Sequence, residues 1–437
     1  MMARMLVAVV VLVFLMCSGR PAFAGLLEYV GRADDSYTYT IQSRAEFGPI
    51  TAHTIRMTSQ TWKGMVWTHW LTVFVPSELR HPEKAMLLID GGTTQADGPD
   101  LSSSEALVMA AIAEDAGTLV AMLEQVPNQP LFDGKEEDAI IAYTFDQFLE
   151  TGDEDWPLLL PMVKSAVRAM DTVEDFARTT LHERVEEFFL LGGSKRGWTT
   201  WLAAVADKRV FAIAPVVIDL LNMEPQMAHQ LRCYGAYSEQ IAEYTSRSIQ
   251  DRMSTDAGAR LLRIVDPYAY RDALGLPKLI VLGTNDPYWT VDAANLYVPG
   301  LKGVKHLHYQ ANTGHDVTPR GVATIAVFYR SLVDGRPLPE YRWEKGSDGA
   351  LEVVWADPEA QAVLWKAFSA SRDFRDAEWH SEELDGEGRC VAAVDPPEQG
   401  WVAYYVELIG SRDGAEYGLC TAMTVLPEAL PFPEAAD

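Results

Sequence analysis

A serine flanked by glycines, in the run Gly-Gly-Ser-Lys-Arg-Gly at 192–197, is the segment with the clearest chemical potential. An apolar run at 188–191 precedes it, and a helix-like segment follows. A sharp turn from a strand into a helix lifts a serine hydroxyl above a sheet, and the helix directs free N–H groups at the reacting atoms. We therefore expect Ser194 to be a nucleophile, with Gly192 and Gly197 at points where side chains would collide.

This segment departs from the usual G-x-S-x-G pattern, because Arg196 stands at the second glycine position and Gly197 comes one residue later. The pattern alone also fits a structural turn. Arg196 could pair with an acidic group of a substrate or with a buried carboxylate of the scaffold, and the sequence does not choose between them.

A serine nucleophile needs a base and an acid, which follow it along the chain in the order acid, then histidine, in this kind of fold. A predicted strand at 278–283 leads into Asp286, and a second at 305–311 leads into His315. Gly314 permits the tight turn that brings the imidazole over the sheet edge. The sequence therefore predicts a catalytic triad of Ser194, Asp286 and His315.

Two other aspartates compete for the role of the acid. Asp219 follows the strand after the nucleophile, where some hydrolases carry their acid, and Asp292 lies just beyond Asp286. Asp286 precedes a proline and could simply begin a turn. Asp316 is interpreted as a turn residue.

An oxyanion hole is predicted from the N–H of Lys195 and that of Gly92, in the glycine-containing loop at 90–94. That loop also fits a plain glycine hairpin. Arg196, Tyr288 and Trp289 are candidate substrate-binding residues.

We expect no metal and no cofactor. His306 and His308 alternate along a strand, but no carboxylate or cysteine accompanies them at ligand spacing, so we interpret them as a half-exposed strand face. The sequence contains no HExxH, paired CxxC or phosphate-binding loop motif.

Strands and helices alternate along most of the chain, which predicts an α/β fold with a mostly parallel sheet. The predicted strands are 37–42, 50–59, 67–76, 86–90, 118–123, 186–191, 211–217, 278–283 and 305–311, and the predicted helices are 102–116, 137–149, 157–179, 198–205 and 321–333. An insertion at about 220–270 lies where many hydrolases carry a lid. The sequence thus predicts an α/β-hydrolase domain over residues 25–345.

A boundary is predicted near residue 345, after two prolines and before a Gly-Ser-Asp-Gly turn. Short strands are expected beyond it at 351–355, 361–368, 390–394, 401–408 and 420–425, which suggest a small C-terminal β-sandwich over 346–437.

Residues 1–24 resemble a cleaved export signal. Arg4 supplies a positive charge, an apolar run spans 5–16, and Ala-Phe-Ala at 22–24 fits a cleavage site. Cys17 is a poor lipid anchor because Met16 precedes it. We expect a periplasmic or secreted protein without a membrane anchor, with its oligomeric state open.

The chain is acidic, with a net charge of −26. Removal of residues 1–24 takes away two arginines and no acid, which gives −28, a charge that disfavours binding to nucleic acid. Cys390 and Cys420 are disulfide candidates in an oxidising compartment, and Cys233 is interpreted as a buried hydrophobe.

Several segments together resemble the family of PhoPQ-activated pathogenicity-related proteins. They include Ser-Lys-Arg-Gly-Trp at 194–198 and Pro-Asn-Gln-Pro at 127–130, and the whole set comprises 87–92, 125–131, 137–143, 193–201, 266–268, 277–278, 312–315 and 372–375. The resemblance implies an α/β-hydrolase-like fold, export and a site at Ser194, Asp286 and His315. It also implies a link to envelope stress or resistance to cationic peptides, and hence to virulence.

Two functions follow as hypotheses. The first is a serine hydrolase that cleaves an ester or a peptide bond. The second is a non-catalytic binding or signalling protein on a hydrolase scaffold.

Overall fold

The computed structural model describes residues 24–433, so the predicted export signal, apart from Ala24, lies outside the described residues, as does Cys17. Its strands are β1 Thr38–Phe47, β2 Ile50–Trp62, β3 Met65–Pro76, β4 Lys84–Ile89, β5 Leu119–Leu123, β6 Glu187–Gly193, β7 Val210–Val216, β8 Lys278–Gly283, β9 Lys305–Gln310, β10 Tyr341–Lys345, β11 Leu351–Trp355, β12 Gln361–Ser369, β13 His380–Leu384, β14 Arg389–Ala392, β15 Trp401–Arg412, β16 Ala415–Cys420 and β17 Thr424–Leu426.

Most helices lie between these strands. They are α1 Ala24–Gly31, α2 Ser104–Ala116, α3 Glu137–Thr151, α4 Leu159–Phe176, α5 Lys195–Ala206, α6 Met223–Tyr234, α7 Ala242–Thr245, α8 Ile249–Arg252, α9 Asp256–Val265 and α10 Pro319–Val333. Within the described residues, no helix is both long and apolar enough to cross a bilayer.

A 14-stranded sheet with the order β1-β2-β3-β5-β4-β6-β7-β8-β9-β16-β15-β12-β13, with β17 beside β15, forms the centre of the molecule. Strands β4 to β9 run parallel, whereas β1 to β3 are antiparallel to their neighbours. The crossover that places β5 between β3 and β4, followed by β6 to β9 in sequence order, gives an α/β-hydrolase-like fold. The carboxyl ends of β6, β8 and β9 consequently meet at one edge, where ligands bind in such sheets.

The parallel strands are buried on both faces, as near-continuous apolar runs predict. In β4, Leu87 packs into one hydrophobic core with α3, α4 and α5, and Met86 packs into a second core with α2 and α10. Helices therefore cover both faces of the sheet and leave its carboxyl edge free for the site.

The C-terminal strands continue the central sheet. β16 pairs with β9, while β10, β11 and β14 form a separate three-stranded sheet. A third core lies between the two sheets and includes Val353 and Val406. The predicted boundary at 345 falls on the last residue of β10, directly before the turn that joins β10 to its partner β11. The division into two domains stays a prediction.

The single strand predicted at 420–425 is wrong, since β16 ends at Cys420 and β17 begins at Thr424. Thr421 interrupts the ladder: its N–H donates to the Val406 carbonyl at 2.9 Å, and its hydroxyl accepts from the Val406 N–H at 3.0 Å. The sequence does not predict residues 415–419 of β16. It does not predict strands β10 and β13 either, because their exposed, charged sequences lack an apolar pattern.

The predicted disulfide between Cys390 and Cys420 is also wrong. Both residues are free thiols, and so is Cys233. Cys390 packs in the core beneath the three-stranded sheet, whereas Cys420 packs in the large core against β9. The two side chains thus lie in separate hydrophobic clusters, although both belong to C-terminal strands.

The sequence predicts that His306 and His308 lie on a half-exposed strand face, and this prediction is wrong. Strand β16 covers β9, and the two residues are buried. Burial lowers the pKa of both imidazoles to about 4. His306 and His308 do alternate along β9, but β9 lies between two other strands and not at the edge of the sheet.

Candidate active site

Ser194 occupies a strained turn between β6 and α5. Its φ of 56° and ψ of −124° lie in a region that non-glycine residues rarely adopt. The Ser194 N–H donates to the Val216 carbonyl at 2.8 Å, which ties the turn to the next strand. The turn presents the serine side chain at the carboxyl edge of the sheet, as a nucleophile elbow does.

The glycines around Ser194 permit this turn. A Cβ at Gly192 would lie 2.7 Å from the Arg196 carbonyl carbon, and one at Gly197 would lie 2.9 Å from the Gly192 oxygen. A Cβ at Gly193 would meet nothing within 4 Å. The close approach therefore falls at 192 and 197, and the absence of a Cβ at Gly192 leaves room for the backbone and Cβ of Arg196.

The three predicted triad residues come together. His315 Nε2 lies 2.8 Å from Ser194 Oγ, and His315 Nδ1 lies 2.8 Å from Asp286 Oδ2. The Asp286 side chain is buried, with 7% of it exposed, whereas His315 is 20% exposed. A carboxylate at Nδ1 fixes the tautomer that leaves Nε2 able to accept the serine proton.

Tight packing between two loops positions His315 and Asp286. The Asn285 N–H donates to the Thr313 carbonyl at 2.9 Å, and a Cβ at Gly283 would lie 2.1 Å from the Gly314 oxygen. The other Asp286 oxygen accepts from the Tyr288 N–H at 2.9 Å. The loops that follow β8 and β9 are therefore held together by backbone contacts.

The competing aspartates do not contact His315. Asp292 accepts from His229 at 2.9 Å and pairs with Arg372 at 2.8 Å. Although burial opposes ionisation, these two partners hold the pKa of Asp292 below its ordinary value. Asp316 is exposed, and its carboxylate accepts from the Val317 N–H, as expected of a turn residue.

Asp219 lies behind the candidate triad. It lines a small cavity together with Asp286 and Tyr309, and its Oδ1 has no hydrogen-bond partner among the described residues. Burial, reinforced by the negative charges of Asp286 and Asp292, raises the pKa of Asp219 to about 8. Asp219 is thus a neutral carboxylic acid at neutral pH, unlike a carboxylate that orients a histidine.

Arg196 contacts the scaffold. Its guanidinium forms a bidentate pair with Glu137 at 2.6 and 2.8 Å, and its Nε donates to the Val126 carbonyl at 2.6 Å. The Gln129 side chain donates to the same carboxylate at 2.7 Å. This arrangement favours the scaffold alternative for Arg196 over the substrate alternative.

Lys195 also has an acidic partner, since its Nζ lies 2.8 Å from Asp138 Oδ2. The Tyr244 hydroxyl donates to the other Asp138 oxygen at 2.9 Å. Sequence reasoning assigned no role to Glu137 and Asp138. Two consecutive cations directly after a nucleophile could have indicated them, because cations beside an apolar pocket need nearby acids.

The loop after β4 runs alongside the elbow. A Cβ at Gly91 would lie 2.7 Å from the Arg196 guanidinium, and Gly92 has a φ of +110° that a side chain would strain. The Gly91 N–H donates to its neighbour Asp90 at 2.7 Å, so it already has an acceptor. Lys195 begins α5, where a backbone N–H has no acceptor within the helix. The oxyanion roles of Lys195 and Gly92 remain predictions.

A cleft opens at Ser194 and His315. Its walls are mostly apolar, and several come from the insertion between β7 and β8; they include Trp198, Ile218, Leu220, Met223, Met227, Ile241, Tyr244, Met253, Tyr288 and Trp289. Asp138, Lys195 and Gln250 add polar groups.

Tyr288 and Trp289 form one wall of the cleft. The Tyr288 ring lies 4.3 Å from the His315 ring, centroid to centroid. Helix α6 fixes this wall, because Gln230 donates to the Tyr288 carbonyl at 2.8 Å and Tyr234 donates to the Trp289 carbonyl at 3.0 Å. The insertion is therefore bonded directly to the loop that carries Asp286.

Cys233 is buried, as expected, but its surroundings are polar. Arg372 lies 2.6 Å from its sulfur, and His229 lies 3.4 Å away. Burial raises the pKa of Cys233 to about 12, which argues against a nucleophilic role.

Comparison with known proteins identifies the family. Residues 26–375 match the family described as PhoPQ-activated pathogenicity-related protein, and the chain belongs to that family. It is 30% identical over 452 residues to the autocrine proliferation repressor protein A of Dictyostelium discoideum, covering 93% of this chain and 91% of that protein.

Two solved structures are similar to part of this chain. Acetyl xylan esterase 1 from Thermoanaerobacterium sp. is 14% identical, covering 70% of this chain and 92% of its own, with a TM-score of 0.49. A glucuronoyl esterase from Solibacter usitatus is 12% identical, covering 71% of this chain and 91% of its own, with a TM-score of 0.43.

The two adjacent glycines give a matched test of the elbow. We expect Gly192→Ala to lower the free energy of unfolding by about 1–3 kcal/mol, because the added methyl would collide with the Arg196 backbone. Gly193→Ala, with open space at its Cβ, should cost much less. Denaturant unfolding of both variants measures the difference, and equal losses would contradict the packing account.

The buried Asp219 predicts a pH dependence of stability. Its pKa is about 8 in the folded protein against an ordinary 3.8, so the folded state binds more protons in that interval. The free energy of unfolding should therefore fall as pH rises from 4 to 8, by up to about 1.4 kcal/mol per pH unit from this group.

Asp219→Asn should weaken this decline, whereas the exposed Asp316→Asn should leave it unchanged. Thermal unfolding of the three proteins at pH 5 and pH 8 makes the comparison. Identical pH-induced shifts of Tm in wild type and Asp219→Asn would show that Asp219 is not protonated in the folded state.

Proposed function

We propose that this protein is a serine hydrolase, with Ser194 as nucleophile, His315 as general base and Asp286 as the acid that orients it. One observation carries the proposal: His315 lies 2.8 Å from Ser194 Oγ and 2.8 Å from Asp286 Oδ2. The strained turn at Ser194 supports the same role, because strain at a nucleophile persists only when surrounding structure enforces it.

The reaction follows from these positions. Ser194 Oγ attacks the acyl carbon while its proton moves to His315 Nε2, and Asp286 stabilises the resulting imidazolium. The N–H groups of Lys195 and Gly92 would stabilise the oxyanion. His315 then returns the proton to the leaving group, and water, activated by the same imidazole, releases the acyl group from Ser194.

The cleft favours an ester with an apolar acyl group over a charged substrate. Its walls are largely aliphatic and aromatic, and its two charged residues, Lys195 and Asp138, pair with each other at 2.8 Å. A peptide substrate remains an alternative, because the same machinery cleaves amides and the net charge of −28 after signal removal would attract cationic peptides.

The insertion between β7 and β8 is proposed to act as a lid. Met223, Met227 and Met253 project from it into the cleft wall. Methionine adapts its shape to different apolar ligands, which suits a pocket that accepts a range of acyl groups.

Export to the periplasm or the cell exterior is part of the proposal. It rests on the charged start, apolar run and cleavage pattern of residues 1–24. A role in the response to envelope stress is also part of the proposal, and the name of the family supports a role in pathogenicity.

A fluorophosphonate probe tests the nucleophile. The wild-type protein should form a stable adduct on the peptide that contains Ser194, and Ser194→Ala should form none. Asp286→Asn should react at least tenfold more slowly, because the imidazole loses its orienting charge. Ser381→Ala, an exposed serine of β13, is the matched control and should react like wild type.

Hydrolysis assays then separate the substrates. A panel of p-nitrophenyl esters of increasing acyl length, together with free and N-terminally blocked peptides, should give the highest kcat/KM for an ester longer than acetate. A protein that is folded, fails to react with the probe and cleaves no member of the panel would contradict the hydrolase proposal.

The Dictyostelium relative favours a second candidate function. That protein is named as an autocrine proliferation repressor, and 30% identity over most of both chains makes a secreted signalling role a candidate for this chain as well. If a signalling effect of this protein survives Ser194→Ala undiminished, binding rather than hydrolysis is its function.

A further inference from the structure

The weakest connection in the central sheet lies between β9 and β16. A single residue pair, Leu307 and Cys420, joins the parallel part of the sheet to the C-terminal strands. Three chemically reactive side chains surround this junction: His308 on β9, Glu407 on β15 and Cys420 on β16. Their nitrogen, oxygen and sulfur atoms all lie within 4.8 Å of one another.

All three side chains are deeply buried. The exposed fraction is 1% for His308, 2% for Glu407 and 0% for Cys420. Glu407 and Cys420 are directly opposite each other in the antiparallel pair β15–β16, so their side chains share one face of the sheet. A cluster of this kind inside a core requires partners for its polar atoms.

His308 is oriented as a metal ligand would be. Its Nδ1 lies 3.0 Å from the Gly418 carbonyl oxygen, so Nδ1 carries the proton and donates it. Nε2 is then an acceptor, and no donor reaches it among residues 24–433. A backbone carbonyl that fixes the tautomer of a ligating histidine is the usual outer contact of a zinc site.

Gly418 leaves space for the cluster. A Cβ at this position would lie 2.3 Å from a Glu407 carboxylate oxygen and 3.0 Å from His308 Nδ1. Since Gly418 has no positive φ, the restriction comes from the cluster and not from the backbone. Any side chain here would enter the space between the three groups.

Arg320 is the cation that accompanies Glu407. Its Nη2 lies 2.9 Å from Glu407 Oε1 without the alignment of a hydrogen bond, and 37% of the arginine side chain is exposed. The Nε and Nη2 atoms of Arg320 are themselves buried and have no aligned hydrogen bond among the described residues. The ion pair between Arg320 and Glu407 must therefore open when a metal ion binds.

The second group of potential ligands, His229, Cys233 and Asp292, differs in the bonding of its histidine. Arg372, with 4% of its side chain exposed, lies 2.6 Å from the Cys233 sulfur and 2.8 Å from Asp292, and His229 Nε2 is bonded to Asp292. In the first cluster Glu407 Oε2 accepts from the Trp365 Nε1–H at 2.9 Å and the Cys420 sulfur accepts from the Tyr309 N–H at 3.3 Å, but His308 Nε2 has no partner among the described residues. In the second group the corresponding histidine nitrogen is already bonded to Asp292. The second group therefore serves as an internal control.

We propose that His308, Glu407 and Cys420 bind a Zn²⁺ ion that fastens β9 to the C-terminal strands. A thiolate, an imidazole and a carboxylate are a donor set that Zn²⁺ binds, with a fourth ligand from water. On binding, the Cys420 sulfur loses its proton to solvent and bonds to the metal. No electron is transferred, and Arg320 moves away from Glu407.

The site is separate from the proposed catalytic residues, but it acts on the strand that leads into His315. Zinc would add bonds between three adjacent strands at a junction that has one residue pair. Because a ligand that binds only the folded state stabilises it, Zn²⁺ should raise Tm in a concentration-dependent manner.

Cobalt titration tests the proposal with a direct signature of thiolate binding. The reduced protein without residues 1–24 is titrated with Co²⁺, and the near-ultraviolet thiolate-to-cobalt charge-transfer band is recorded. Wild type, Cys233→Ser and Cys390→Ser should each develop the band at one equivalent of metal, whereas Cys420→Ser should not. Zinc should then displace the cobalt and abolish the band.

His308→Gln and Arg320→Gln extend the test in case Cys420→Ser fails to fold, which circular dichroism detects. His308→Gln should weaken Zn²⁺ binding in equilibrium dialysis by at least tenfold and remove the zinc-dependent rise in Tm. Arg320→Gln should retain both. No thiolate band in wild type, a band that survives Cys420→Ser, or a band lost in Cys233→Ser would each overturn the proposal.

Discussion

The contact between Ser194 and His315 is the constraint on which the site depends. It joins the end of β6 to the end of β9, and these strands are separated in the sheet by β7 and β8. Each end must therefore be placed independently and accurately: Ser194 by a turn that admits no side chain at 192, and His315 by a loop packed directly on Gly283. The fold brings the strand ends to one edge, and close backbone packing sets the final distance.

Two ion pairs beside the nucleophile explain how this elbow differs from the common pattern. The side chains of Lys195 and Arg196 leave the turn toward Asp138 and Glu137 at the start of α3. Arg196 also bonds to the Val126 carbonyl. These side chains thus bond the elbow to α3. The position at which close backbone packing requires a glycine is 197 and not 196. An arginine at 196 serves as a link in the scaffold, where a glycine would leave Glu137 with only the more distant Lys195, whose Nζ lies 3.6 Å from Glu137 Oε2.

The sequence was sufficient for features that depend on local pattern. Apolar runs predicted the parallel strands, and the glycines and strand ends predicted the positions of Ser194, Asp286 and His315, which the structure brings together. Features that depend on distant partners were not accessible. The burial of His308 requires β16 to cover β9, the separation of Cys390 from Cys420 requires two sheets, and the partner of Arg196 lies 59 residues away. In each case the deciding contact joins segments far apart in the chain, and no local signal marks it.

The most direct measurement of the central claim is the proton shared by His315 and Asp286, observed by proton NMR at low temperature. The account predicts a resonance far downfield of the amide region in wild type, which moves upfield in Asp286→Asn and disappears in His315→Gln. A downfield spectrum that is the same in all three proteins would contradict the account, because it would show that the imidazole and the carboxylate do not share a hydrogen bond in solution.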